Sequence, residues 1–162
     1  MRQINEYLES SAASKNASCL LGAFDLKTDF GGHIVSERLW SAVKAMNIGT
    51  WEAAKLEILS PKGVPRESDQ YYFIRQQKID RLPIDIIDLE KSSINYRKTG
   101  EIKNVISLAI KDEETLDFFS INDVSLVGRI FLSPAAAEAL NQLELKGVEI
   151  VSTDKLGAIE SA

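Results

Sequence analysis

The sequence predicts an α+β fold with a mixed or mainly antiparallel sheet and two or three helices. Two observations lead to this prediction. Short β-prone runs alternate with segments whose apolar residues recur at helical spacing. In addition, the order strand, serine, helix, glycine, strand occurs twice, once in each half of the chain. A length of 162 residues suits a single domain whose core needs no cross-links.

The first of these units begins with Ile34-Val35, a short strand, followed by Ser36. Serine is favoured at helix N-caps because its side-chain oxygen accepts a free backbone N–H. Apolar residues recur at helical spacing over residues 39–46, and Gly49 can end the helix. Residues 54–59 then have the pattern of a returning strand.

The second unit repeats this order. Residues 130–132 read as a strand, Ser133 as an N-cap, and Pro134 occupies the first helical position, where its missing N–H costs nothing. A helix is predicted at residues 135–143 and a strand at 148–151. We interpret the two segments as β-Ser-α-Gly-β repeats; the alternative is that this order is common and the match coincidental.

Further β-prone runs are residues 71–74, 82–89 and 102–110. The N-terminal end is less regular: residues 4–9 read as a short helix, and the apolar stretch at 19–26 as a first strand. We therefore divide the chain into a partly ordered lead, residues 1–29, and one α+β domain, residues 30–162.

Charge is distributed unevenly. Residues 81–162 hold 9 Lys/Arg and 14 Asp/Glu and thus the whole formal net charge of −5, whereas charges in residues 1–80 cancel. An acidic surface repels nucleic acid and attracts basic partners, although it also serves solubility alone. Since a signal peptide and a membrane-spanning run are not evident and Cys19 is the sole cysteine, we expect a cytoplasmic protein.

The sequence contains few residues in arrangements typical of catalytic sites, and no cofactor is expected. We expect Cys19 to be a buried, inert thiol and His33 to occupy a partly exposed loop position. The best enzyme alternative is a metal-dependent nuclease or hydrolase using Asp85, Glu101 and Lys103. Two carboxylates on a divalent metal beside a lysine could activate a water molecule. A small-ligand module is the third alternative.

Acidic residues cluster beside two phenylalanines. The segment from Asp112 to Gly128 contains no Lys or Arg, and an outward-facing Phe119 ringed by acids would suit a protein interface. The alternative is a solvated acidic corner with both phenylalanines buried. The residues that we assign to partner binding are Asp112, Glu113, Glu114, Asp117 and Phe119, with Asp85 and Asp88 next.

Three stretches resemble an immunity-protein family of bacterial polymorphic toxin systems. They are residues 34–49 with the following strand, residues 71–74 with 85–92, and residues 130–150. The resemblance covers most of residues 30–152. It implies a non-catalytic antitoxin that binds a cognate protein toxin, and it supplies no catalytic residues. An acidic inhibitor would suit a basic toxin; neither the oligomeric state nor the toxin follows from the sequence.

Overall fold

The computed structural model describes residues 6–10, 24–29, 31–60, 62–64, 70–111, 114–154 and 156. Its elements are β1 (Glu6–Ser10), β2 (Leu26–Asp29), β3 (Gly32–Ser36), α1 (Glu37–Lys44), β4 (Glu52–Leu56), β5 (Tyr71–Arg75), β6 (Ser93–Tyr96), β7 (Ile102–Ser107), β8 (Phe118–Phe119), β9 (Ile130–Leu132), α2 (Pro134–Asn141) and β10 (Val148–Ser152). Three short 3₁₀ turns in the connections are Lys78–Asp80, Ile84–Ile86 and Val124–Leu126. These elements confirm the α+β, mainly antiparallel prediction.

Two four-stranded antiparallel sheets have matching strand orders. One runs β2-β3-β5-β4 and the other β8-β9-β1-β10, and β6 and β7 form a separate hairpin. Each sheet therefore contains a hairpin and a returning strand, and a helix connects the second strand of the hairpin to the returning strand. We call β2, β3, α1, β4 and β5 the first unit, and β8, β9, α2, β10 and β1 the second unit. The internal repeat is present in the fold.

The strand β1 comes from the start of the chain but completes the second unit. It lies between β9 and β10, in the place that β5 holds in the first unit. The helix expected at residues 4–9 is therefore wrong for residues 6–9, because pairing on both edges overrides local propensity. Both β1 and β2 lie in these sheets, although we assigned residues 1–29 to a lead. The beginning of the strand expected at 19–26 lies outside the described residues.

Serine caps start both helices. The Ser36 hydroxyl accepts the Leu39 N–H at 3.2 Å, and the Ser133 hydroxyl accepts the Ala136 N–H at 3.1 Å. Gly49 and Gly147, beyond the two helices, have φ of 66° and 68°, a conformation that favours glycine. Local sequence thus determines where both helices begin and how the chain leaves them.

Two core clusters lie on opposite sides of the second sheet. The first core cluster joins both helices to both sheets, with Leu26, Val35, Leu39, Phe118 and Leu140 among its buried members. The second core cluster packs residues of β7, β8 and β9 against the 82–90 and 121–126 segments and Leu156. Its members are Ile87, Val105, Leu108, Ile110, Phe119, Ile121, Leu126, Phe131 and Leu156. Adjacent strand residues point to opposite faces, so Phe118 and Phe119 enter different clusters.

The segment 82–89 is not the strand that its β-prone composition predicts. It contains the 3₁₀ turn Ile84–Ile86 and forms only single bridges, Leu82 with Ile121 and Ile87 with Ile110. Pro83 contributes to this outcome, because proline has no N–H to donate to a neighbouring strand. The irregular path leaves side chains of this segment at the surface.

Candidate protein-interaction surface

The side chain and backbone of Asp117 form hydrogen bonds that stabilise the fold. Its carboxylate accepts the Ser133 hydroxyl at 2.6 Å and the Asn47 N–H at 3.2 Å. Its own N–H donates to the Asn47 carbonyl at 2.6 Å, and its carbonyl accepts the Ser133 N–H at 3.1 Å. These bonds tie Asp117 to the start of α2 and to the loop after α1, so its carboxylate is already engaged.

Phe119 is buried rather than outward-facing. It is 0% exposed, and its ring lies 5.9 Å from that of Phe131 in a stacked pair. Phe118 is equally buried. The expectation of an exposed Phe119 anchor is therefore wrong, and the alternative with both phenylalanines in the core is correct. The reason is the second core cluster, which covers the face of β8 that we expected to meet solvent.

A groove of about 260 Å³ brings the two predicted acidic groups together. It is lined by Asp85, Ile86, Lys111 and Glu114, and we call it the acidic groove. The Lys111 N–H donates to the Ile86 carbonyl at 2.9 Å, which holds the two segments side by side. Asp112 and Glu113 follow Lys111 directly in the sequence but lie outside the described residues.

The carboxylates near this groove differ in how far they are engaged. One Glu114 oxygen accepts the N–H groups of Thr115 at 2.8 Å and Leu116 at 2.7 Å. The exposed Asp85 has no hydrogen-bond or ion-pair partner among the residues that the structure describes. Asp85 is therefore the carboxylate most available to an incoming cation.

Asp88 sits in a tight turn with Lys91. The Lys91 ammonium lies 2.9 Å from its carboxylate, which also accepts the N–H groups of Glu90 and Lys91. The hydrogen bond from the Lys91 side chain is the largest influence on the pKa of Asp88. Together with the backbone hydrogen bonds it outweighs desolvation and lowers the pKa. Asp88 stays ionised, but its charge is partly balanced within the turn.

Asp85 and Glu101 of the nuclease alternative lie in different parts of the fold. Asp85 lines the acidic groove, next to the bridge between Ile87 and Ile110. Glu101 lies in the turn between β6 and β7, where its carbonyl accepts the Arg97 N–H. The turn and the far end of β7 are roughly 16 Å apart, at about 3.3 Å per residue. No group of three metal-binding side chains occurs among the described residues.

His33 is a core residue. It is 4% exposed, so the expectation of a partly exposed position is wrong. Its Nδ1 lies 3.0 Å from the Thr28 hydroxyl, and its ring centroid 6.3 Å from that of Trp51. Burial, assisted by the positive charge of Arg81, lowers the pKa of His33 to about 4. His33 is thus neutral at pH 7. Cys19 lies outside the described residues.

The exposure of several apolar side chains was not predicted from the sequence. Ile84 and Leu89 lie on either side of the groove residues Asp85 and Ile86 in the sequence, and their side chains are 42% and 63% exposed. The Val124 side chain is 92% exposed. In a regular strand half of such residues would face the core. Their only sequence signals were Pro83 and the neighbouring acids, which indicate an irregular surface segment.

No helix in the described part of the chain is long and apolar enough to span a membrane.

The chain matches a known protein family. Residues 17–158 match the family described as immunity protein 43. Because the match extends over most of the chain, the protein belongs to the immunity protein 43 family. The match also reaches beyond the residues 30–152 on which the resemblance rested. No match to the chain was found among curated proteins.

Proposed function

We propose that this protein binds a cognate protein toxin and neutralises it, without catalysing a reaction of its own. Membership of the immunity protein 43 family is the observation that carries the proposal. We place the interaction in the cytoplasm, where the producing cell needs protection. The separation of Asp85 from Glu101 gives the nuclease alternative no support.

The acidic groove is our candidate for the first contact with the toxin. Asp85 and Glu114 line it, Asp88 lies close by in sequence, and we also assign Asp112 and Glu113 to toxin binding, as the sequence predicts. A cluster of carboxylates steers a cationic partner and speeds encounter more than it tightens the final complex. The excess negative charge of residues 81–162 favours such a partner. We therefore propose a toxin with a basic surface.

Protection by binding has a quantitative signature. Each immunity molecule can block only as many toxin molecules as it has sites, so protection must end sharply at a fixed ratio. An enzyme that destroyed the toxin would instead protect at amounts far below that of the toxin. The dependence of protection on dose therefore separates the two modes of action.

The test is co-expression with the toxin encoded by the neighbouring reading frame. Cells that make the toxin alone should stop growing, and cells that also make this protein should grow. The purified proteins should form a complex in size-exclusion chromatography, and a calorimetric titration should saturate at a fixed ratio. An acidic protein of similar size and charge is the control for non-specific attraction. Failure to rescue growth together with failure to form a complex would refute the proposal.

A further inference from the structure

Two segments of the chain are much longer than the segments that correspond to them in the repeat. The β2–β3 connection of the first unit is residues 30–31, whereas the corresponding β8–β9 connection spans residues 120–129 and contains a 3₁₀ turn. The chain from β5 to Asp117, residues 76–116, is likewise much longer than the chain from β1 to Asp25, residues 11–24. We call residues 76–116 and 120–129 the insertions. The repeated framework folds around its own core, so these additions are where recognition can be built.

Exposed apolar side chains concentrate in these insertions. All but two of the large hydrophobic residues that are exposed in the described structure belong to them. The two outside are Leu59 and Val64, in the connection between β4 and β5. Those in the insertions are Ile79, Ile84, Leu89, Tyr96, Ile106, Val124 and Val127. Exposed apolar residues grouped in this way are typical of protein interaction sites.

Five of these residues are close neighbours in sequence of buried residues in the second core cluster. Ile84 and Leu89 flank Ile87 in the sequence, Ile106 follows Val105, and Val124 and Val127 flank Leu126. The buried residues Ile87, Val105 and Leu126 all belong to the second core cluster. We call Ile84, Leu89, Ile106, Val124 and Val127 the insertion face.

Backbone hydrogen bonds join the two insertions beneath this face. The Leu82 N–H donates to the Ser120 carbonyl at 3.0 Å, and the Asn122 N–H donates to the Leu82 carbonyl at 2.8 Å. Leu82 and Ile121 form a parallel bridge, and strands paired in this way lie about 4.8 Å apart. Ile84 and Val124 both follow the bridge closely, so they leave it in the same direction.

The two segments that carry Ile84, Leu89, Val124 and Val127 are acidic; Arg81, Lys91 and Arg129 adjoin them in the sequence, and Lys91 pairs with Asp88. Residues 82–90 and 121–128 contain Asp85, Asp88, Glu90 and Asp123 but no Lys or Arg. An apolar surface with a carboxylate rim is complementary to a protein with apolar side chains inside a ring of Lys and Arg. A nucleic acid would be repelled by the same rim.

We propose that the insertion face is the docking surface for a protein partner with an apolar centre and a cationic rim. The inference rests on the proposed function, which makes this partner the cognate toxin. The insertion face supplies the contact area that persists in the complex. The acidic groove beside it accelerates encounter.

The variant Val124→Arg tests this proposal. Val124 is 92% exposed and contributes little to the core, so the variant should fold as the wild type does. Its arginine should meet the cationic rim of the toxin and weaken binding at least about tenfold, or roughly 1.4 kcal/mol. Val124→Ser, which removes the apolar contact without adding charge, should weaken binding by a smaller factor.

Val64→Arg is the matched control. It makes the same change of residue type at a valine that is 59% exposed and lies outside both insertions. Its affinity should stay within about twofold of the wild type, well below the tenfold step that one lost contact produces. Amide hydrogen exchange of the wild-type complex should show protection at residues 84–90 and 121–128 but not at 59–64.

The possible outcomes separate the two proposals. If the wild type binds the toxin but Val124→Arg binds equally well, or Val64→Arg is weakened as much, the insertion face is not the docking surface. The proposed function would survive that result. If the wild type neither binds nor neutralises the toxin, the proposed function fails, and the docking proposal fails with it.

Discussion

Asp25 and Asp117 occupy equivalent positions in the two units of the fold. Each precedes a hairpin and accepts a hydrogen bond of 2.6 Å from the serine that caps the helix of its own unit. The pairs are Asp25 with Ser36 and Asp117 with Ser133. The aspartate backbone carbonyl also accepts the N–H of the same serine, at 3.0 Å and 3.1 Å respectively.

Each aspartate also reaches across to the other unit. The Asp25 carboxylate accepts the N–H of Lys146, beyond α2, at 2.7 Å, and the Asp117 carboxylate accepts the N–H of Asn47, beyond α1, at 3.2 Å. The two aspartates thus join the units reciprocally, each connecting the start of one helix to the end of the other. These contacts fix the two helices relative to the hairpins that precede them.

Asp25→Asn should destabilise the protein. Asp25 is 4% exposed and forms an ion pair of 2.5 Å with Arg38. The side-chain NH2 group of an asparagine would face N–H and O–H groups that are themselves donors. The Arg38 guanidinium would also lose its carboxylate partner. The free energy of unfolding, measured in urea, should fall by about 2 kcal/mol. Asp154→Asn, at an exposed position, should leave it unchanged. Equal stability of the two variants would show that the Asp25 contacts contribute nothing.

The same ion pair has a pH dependence of known sign. Burial acts to raise the pKa of Asp25, but hydrogen bonds from Arg38, the Lys146 backbone and Ser36 outweigh it and lower the pKa below 3.8. The stabilisation is therefore complete above pH 3.8 and is lost as the pH falls through the folded-state value. This loss should be smaller in Asp25→Asn.

Ser36→Ala and Ser133→Ala should have similar effects. Each removes a helix N-cap and the hydroxyl donor to an aspartate, at a cost of about 1–2 kcal/mol. Thermal or urea unfolding measures the loss. Threonine at either position retains the hydroxyl and should recover most of the stability. A large effect at one serine and none at the other would contradict the equivalence of the two units.

His33 should make stability depend on pH in mildly acidic solution. Below pH 6.5 the unfolded chain binds a proton at His33, but the folded chain does so only near pH 4. The free energy of unfolding should therefore decrease as the pH falls, by about 2 kcal/mol between pH 7.5 and 5. Urea titrations over this range measure the slope. His33→Gln should be less stable throughout but should lack the slope; a retained slope would assign it to other groups.

Local signals in the sequence were sufficient to predict the two helices. Their beginnings depend on Ser36 and Ser133, and their buried faces on apolar residues three and four positions apart, so all the information lies within one segment. The repeat followed from the same signals. The strand β1 could not be predicted in this way, because its neighbours β9 and β10 lie more than a hundred residues further along the chain.

The candidate site was harder to predict for a related reason. The acidic composition of the Asp85 and Glu114 regions was visible, but their proximity depends on the pairing of residues 86–87 with 110–111. The burial of Phe119 depends on a second core that residues 82–110 and 121–131 build together. Strand alternation correctly separated Phe118 from Phe119. It could not tell that both faces of the sheet are covered.

Asp85→Lys should slow association with the toxin. Asp85 is exposed and its carboxylate forms no hydrogen bond or ion pair with another described residue, so the change alters charge without disturbing the fold. Glu114 is a poorer choice, because its carboxylate holds the backbone of Thr115 and Leu116. The association rate in stopped-flow mixing should fall several-fold at low salt and depend less on ionic strength, while dissociation changes little.

The control for Asp85→Lys is Glu138→Lys, which makes the same change of net charge on the exposed side of α2. If steering is local to the acidic groove, Glu138→Lys should associate nearly as fast as the wild type. Equal slowing in both variants would mean that total charge, and not the groove, attracts the toxin. An unchanged rate in Asp85→Lys would exclude the groove from the encounter. Because screening by salt suppresses long-range attraction, the difference between the two variants should disappear at high ionic strength.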